Sequence, residues 1–130
     1  MSIFGIGVDL LRRGRLNENT LREGDPFLAA AFSEQERLEA ETRTEPIRYF
    51  EDRFCAKEAV FKALHMSPEH VKFRDIRILA DENGAPVVTL SGEIARLAEA
   101  RRIERIELSI SGEQDQVISF AIALVEESDQ

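Results

Sequence analysis

Tryptophan is absent from this 130-residue chain, and tyrosine and cysteine each occur once. The single thiol, Cys55, cannot close an internal disulfide, which excludes a disulfide-stapled scaffold. No apolar run approaches the ~20 residues that a bilayer-spanning helix needs. The stretch from Met1 to Asp9 has no basic segment before its apolar residues and an acid at their end, so it does not read as a signal peptide. A cytoplasmic location is therefore expected. Glycine (seven) and proline (four) are too few for a collagen-like or low-complexity chain. Basic residues are also in deficit, 17 against 25 acids, for a net charge of −8. Such a chain repels nucleic acid and anionic lipid unless a local patch reverses the field. Neither is an expected partner.

What is present suits one folded domain spanning residues 1–130, with no repeat and no linker. Apolar residues make up 43% of the chain and include eight phenylalanines, enough mass to offset the ordering entropy of a single core. The acid excess is uneven. Residues 1–24 carry a net +1, from Arg12, Arg13, Arg15 and Arg22 against Asp9, Glu18 and Glu23, and the rest carries −9. A small basic patch on an acidic body fits an acidic protein partner better than a long polyanion; the alternative is a solvated helix face.

The pattern predicts a buried strand over residues 3–10 and then a charged, helical stretch. A loop at Glu23-Gly24-Asp25-Pro26 leads to a short apolar helix, Phe27 to Phe32. Ser33 and Glu36 have capping-box spacing and open a helix to about Thr42. A long helix is expected from about Glu45 to Leu64, with Pro46 in its first turn and Ile47, Phe50, Phe54, Phe61 and Leu64 at helical spacing. The period then changes. A strand over 73–80, the turn Asp81-Glu82-Asn83-Gly84 and a strand over 87–90 make a hairpin. A helix capped at Ser91 or Gly92 runs to about Arg102. Strands over 106–111 and 117–125 close the chain, before a frayed tail at 126–130. The order predicts an α+β fold with an antiparallel-rich sheet packed against a long helix.

Three ionisable residues stand out. Asp9 ends an apolar strand, where a buried carboxylate needs a partner, a metal or a helix end to cap. Glu58 and Lys62 lie four apart on one helix face with Phe54, a spacing that equally describes an ordinary surface pair. Gly5-Ile6-Gly7 lacks the third glycine of a dinucleotide fingerprint. His65 and His70 have no partner at metal spacing, and Cys55 reads as a packing thiol.

Taken together, Gly5-Ile6-Gly7-Val8-Asp9 and the stretch from Arg53-Phe54-Cys55-Ala56-Lys57-Glu58 to Phe61-Lys62-Ala63-Leu64 resemble the signature of holo-(acyl carrier protein) synthases. These are small 4′-phosphopantetheinyl transferases. The resemblance continues through Asp81 to Pro86, Leu90-Ser91-Gly92 and Leu108-Ser109-Ile110-Ser111, nearly the whole chain. It implies transfer of phosphopantetheine from coenzyme A to a serine of an acyl carrier protein, with Mg²⁺ as cofactor, and a homotrimer with sites between subunits. By the same resemblance Asp9 and Glu58 would hold the Mg²⁺, Glu58 or a water on the metal would act as base, and Lys62 would neutralise pyrophosphate charge. Arg53 would approach a coenzyme phosphate, and Gly84 and Pro86 would lie near the nucleotide. Arg12, Arg13, Arg15 and Arg22 are candidates for docking the carrier, by position more than by motif. The chain departs from the family pattern twice. Gly112-Glu113 stands where a histidine usually follows Ser-Ile-Ser, and His65-Met66-Ser67-Pro68 replaces a glycine-rich turn. A relative that binds carrier or nucleotide without efficient transfer is the second reading.

Overall fold

The computed structural model describes residues 1–22 and 24–127. Glu23 and the last part of the expected frayed tail, 128–130, lie outside the described residues.

The chain opens with strand β1 (Ser2–Arg12) and crosses a short 3₁₀ turn at Glu18–Leu21 into helices α1 (Pro26–Ala31) and α2 (Glu34–Glu41). The long helix α3 (Pro46–Leu64) follows, then the hairpin of β2 (Ile76–Ala80) and β3 (Pro86–Leu90). Helix α4 (Gly92–Ala100) leads to a second hairpin, β4 (Ile103–Gly112) and β5 (Gln116–Val125). Strands β1, β5 and β4 form one antiparallel sheet in that order, and β2–β3 form a second. This is the expected α+β arrangement of antiparallel sheet against long helix.

Local chemistry accounts for most boundaries. Asp25 caps α1 by accepting from the amides of Phe27 and Leu28. The Ser33–Glu36 capping box forms in both directions: Ser33 Oγ accepts from the Glu36 amide at 3.2 Å, and Glu36 Oε1 accepts from the Ser33 amide at 2.9 Å. Pro46 sits in the first turn of α3. Where α3 ends, His65 adopts φ +53°, the left-handed region that glycine fills at many helix ends.

Helix α3 lies directly on β1, and small residues allow the close approach. Cys55, Ala59 and Ala63 repeat every four positions and are fully buried. A Cβ at Gly7 would overlap the Ala59 carbonyl and crowd the Ala63 amide, and one at Gly5 would overlap the Ala63 carbonyl. We expect Gly7→Ala to destabilise the fold by about 3 kcal/mol, the upper end of ordinary overpacking, because backbone and not a flexible side chain is in the way. Chemical denaturation checks this; wild-type stability would mean that the helix can ride outward at no cost.

Three expectations need correction. Strand β1 is not buried on both faces. Gly5 and Gly7 face α3, while Ile6, Val8 and Leu10 lie on the opposite, exposed face. The charged stretch after it is helical only in the 3₁₀ turn at Glu18–Leu21. The strand runs on to Arg12, Gly14 takes φ +106°, and the amides of Arg13 and Gly14 donate to Asp115 O and Glu51 Oε2, both at 2.9 Å. Residues 73–75 form a 3₁₀ turn instead of the start of β2, because the Phe73 carbonyl accepts from the Lys57 ammonium at 2.7 Å.

The outer edge of β2 is completed by side chains. The amides of Ile78 and Ala80 donate to Glu36 and Glu39 of α2, both at 2.9 Å. The carbonyls of Ile76 and Ile78 accept from Lys57 Nζ (2.6 Å) and Arg53 Nε (3.1 Å) of α3. Two acids and two bases thus occupy the place of a neighbouring strand, which satisfies the edge and locks the hairpin to both helices.

Candidate active site

Asp9 projects from the face of β1 that meets α3. Its carboxylate is 17% exposed, and Lys62 Nζ donates to its Oδ1 and to the Val8 carbonyl, each at 3.0 Å. Glu58, one turn before Lys62, completes the group. Its carboxyl is held above the ordinary carboxylate range, first by burial and then by the charge of Asp9, with Lys62 acting in the opposite sense. Two carboxylates with one ammonium between strand and helix make a local excess of negative charge. The strand acid, which lies within β1 and not at its end, and the helix pair, far apart in sequence, therefore meet.

Beneath them lies Cys55. Its thiol is fully buried and contacts the Asp9 carbonyl at 3.3 Å and the Val117 carbonyl at 3.5 Å. Burial is the main cause that pushes it up to about 11, so it is protonated and unreactive at neutral pH.

The fit of a divalent cation can be tested on these groups. Among the described residues no set of three or more histidines, cysteines and acids converges on a metal position. A site built wholly from protein ligands is therefore not formed. Asp9 and Glu58 do supply two hard oxygen donors whose mutual repulsion a cation would relieve. That donor set suits Mg²⁺, which keeps waters and takes further oxygens from a substrate phosphate.

Other sequence candidates are placed elsewhere. Arg53 is buried on the far side of α3; it donates to Ile78 O, pairs with Glu39 at 3.4 Å, and stacks 4.7 Å over the Tyr49 ring. These partners engage its guanidinium in the free chain. Arg13 is likewise withdrawn. It pairs with Asp52 at 2.8 Å and Glu51 at 3.3 Å, and donates from Nε to the Glu113 carbonyl at 2.7 Å. Its guanidinium is thus engaged in the free chain, whereas Arg12, Arg15 and Arg22 are exposed. Gly84 (φ +85°) and Pro86 belong to the β2–β3 turn, which Asp81 organises by accepting from the amides of Asn83 and Ala85. Among the described residues no hydrogen bond or ion pair joins this turn to the Asp9–Glu58–Lys62 group within one chain.

The Gly112 departure has a physical counterpart. A Cβ there would lie 2.5 Å from Arg13 Nη2 and 3.6 Å from Asp52 Oδ1. Glycine leaves the room that the Arg13 guanidinium occupies.

Lys57, Glu36 and Glu39 escaped the sequence reading. Lys57 and Glu36 are fully buried and paired at 2.8 Å. The one available signal was a lysine in an otherwise apolar run, Phe54-Cys55-Ala56-Lys57, aligned four residues after Arg53.

The 4′-phosphopantetheinyl transferase superfamily matches residues 5–121. The holo-[acyl-carrier-protein] synthase of Desulforudis audaxviator is 40% identical over 122 residues, covering 94% of this chain and 93% of that one. The crystal structure of the Neisseria meningitidis holo-[acyl-carrier-protein] synthase superposes with a TM-score of 0.84 at 32% identity, over 95% of this chain and 99% of that one. The Helicobacter pylori enzyme, solved in complex with coenzyme A, gives a TM-score of 0.75 at 26% identity, over 92% of this chain and 99% of that one. This chain therefore belongs to the 4′-phosphopantetheinyl transferase superfamily, among the holo-[acyl-carrier-protein] synthases.

Proposed function

We propose that the chain transfers 4′-phosphopantetheine from coenzyme A to a serine hydroxyl of an apo acyl carrier protein, releasing adenosine 3′,5′-bisphosphate. The observation that carries this reading is the convergence of Asp9, Glu58 and Lys62 from β1 and α3. Displacement at one phosphorus of a pyrophosphate needs positioning and charge neutralisation more than covalent chemistry. A Mg²⁺ ion held by Asp9 and Glu58 would neutralise charge on the pyrophosphate. Glu58, half-buried and held in a less acidic form, accepts the serine proton as the oxygen attacks. Lys62 leaves Asp9 for the phosphate oxygens, which an exposed four-carbon stem permits. The oxygen–phosphorus bond to the serine forms as the pyrophosphate bridge breaks.

The exposed face of the β1–β5–β4 sheet supports a homotrimer. Ile6, Val8 and Leu10 lie opposite Ile122, Phe120 and Ile118, so one sheet face carries a continuous apolar patch. Such a patch suits a protein interface. Assembly would bring the Gly84–Pro86 turn of one copy to the acid pair of another, giving that turn its nucleotide contact. We expect Phe120→Glu to yield monomers in sedimentation and to lose transfer; an unchanged trimer would refute this interface. Arg12, Arg15 and Arg22 present the exposed positive charge for an acidic carrier helix. The lone buried thiol accords with a cytoplasmic setting.

The decisive test is intact mass. Apo carrier incubated with the protein, coenzyme A and Mg²⁺ should gain the phosphopantetheine mass. An unchanged mass across several carriers would overturn the reading in favour of a relative that binds without transferring.

A further inference from the structure

His65 closes α3 in the left-handed region, at φ +53° and ψ +43°. A side chain adopts that conformation at a cost, and such positions gather where the side chain has a use. Arg101 Nη1 donates to the Leu64 and His65 carbonyls at 3.0 and 3.4 Å, which fixes the backbone that carries the ring. The imidazole packs against Phe4, with ring centroids 5.5 Å apart. Its Nε2–Cδ2 edge lies over Gly5, where a Cβ would stand 2.7 and 3.0 Å from those two atoms. Nδ1 is the opposite vertex of the ring, and the residue is exposed. Among the described residues neither ring nitrogen has a hydrogen-bond or ion-pair partner.

The ring belongs to a row. Gly5, Gly7 and Asp9 alternate along the face of β1 that meets α3. Side chains from α3 and its end lie over them in order. His65 covers Gly5, the Lys62 stem passes Gly7 with its Cβ 2.9 Å from where a Cβ would stand, and Lys62 Nζ reaches Asp9 at 3.0 Å. Strand β1 is the outer strand of its sheet, so this seam opens at the sheet edge, where Lys62 and His65 are both exposed. Four residues of strand separate Gly5 from Asp9, roughly 13 Å.

We propose that His65 binds the ribose 3′-phosphate of coenzyme A and so selects coenzyme A over its dephospho form. The inference rests on the reading of Asp9, Glu58 and Lys62 as the pyrophosphate site. With the pyrophosphate at Asp9 and Lys62, the sugar carries its 3′-phosphate farther along the same seam. The unengaged donor there is the imidazole, which offers an N–H to a phosphate oxygen whether neutral or protonated. The anchored backbone and the Phe4 contact hold the ring in place before the ligand arrives, so little ordering is needed on binding.

The test is calorimetric binding of coenzyme A and of dephospho-coenzyme A to the intact protein with Mg²⁺. The wild type should prefer coenzyme A. His65→Phe keeps a ring against Phe4 and removes both nitrogens. It should weaken coenzyme A about tenfold, the low end for loss of one hydrogen bond to a charged group, and leave dephospho-coenzyme A unchanged. His65→Gly, which suits the left-handed backbone, should show the same selective loss. Equal weakening of both ligands would give His65 a packing or pyrophosphate role and overturn the inference, as would a wild type without preference. Lys62→Met reports on the underlying reading and should weaken both ligands alike. If it does so while the His65 variants bind both as wild type, the pyrophosphate site stands and the 3′-phosphate contact falls. If Lys62→Met itself binds both as wild type, the site reading falls and this inference with it.

Discussion

Glu58→Gln should lower the transfer rate 10²–10⁴-fold, the usual contribution of a positioned general base, and leave the fold intact. The amide keeps the size of the side chain and loses both its proton affinity and its negative charge. The effect should fall on kcat more than on the Michaelis constant for carrier, since Glu58 lies at the acid pair and not among Arg12, Arg15 and Arg22. The sign of the stability effect follows from the raised carboxyl. A carboxyl raised in the folded state stabilises most below its unfolded value, and that contribution is lost as pH rises through the folded value. At neutral pH wild-type Glu58 is therefore a liability, and the glutamine variant should melt at the same temperature or higher. The wild-type rate should climb with pH as Glu58 ionises, and a bound cation should draw that limb toward lower pH. Glu58→Gln should lack that limb. Single-turnover transfer measured across pH, together with thermal melts, decides it; equal rates in the two proteins would remove Glu58 from the chemistry.

Lys57→Met should cost about 3–5 kcal/mol, the range for breaking a buried ion pair from one side. For a domain of this size that is a fall of roughly 10–20 °C in Tm. Lys57 Nζ makes three bonds, to Glu36 Oε1, Phe73 O and Ile76 O, at 2.8, 2.7 and 2.6 Å. Burial pulls the ammonium below the usual lysine value, and the Glu36 charge opposes the fall. Methionine matches the length of the chain and leaves Glu36 charged in a fully buried site. In the variant Glu36 is a buried carboxylate without its cation, which costs most where it must stay charged. The loss should then be smallest in acid and grow as pH increases. Adding Glu36→Gln should recover part of the stability, so the two changes together cost less than their sum. Denaturant midpoints at two pH values test this. Strict additivity would mean that the pair is not coupled.

Much of this was legible in local patterns. The capping box at Ser33, the proline at the head of α3 and the hairpin turn at Asp81 to Gly84 each depend on contacts within a few residues, and each formed where the pattern put it. Glu58 and Lys62 shared a face because helical spacing alone guarantees it. The helix expected after β1 failed because its charge pattern carried no information about Asp115 and Glu51, the distant groups that hold the amides of Arg13 and Gly14. The surroundings of Arg53 were hidden for a related reason: only packing reveals that Glu39, Tyr49 and the edge of β2 engage its guanidinium.

Composition, periodicity and a short motif determined the class of fold, the helix and hairpin boundaries, and the identity of the residues that carry charge at the site. Their mutual distances were decided only by the tertiary structure. Asp9 meets Lys62 across 53 residues of chain because glycines in β1 let α3 come close enough, and no local rule encodes that approach. The same holds for the four charged side chains on the edge of β2 and for the space at Gly112 that Arg13 fills. Short-range physics acts on neighbours in sequence, whereas steric fit and charge pairing act on neighbours in space.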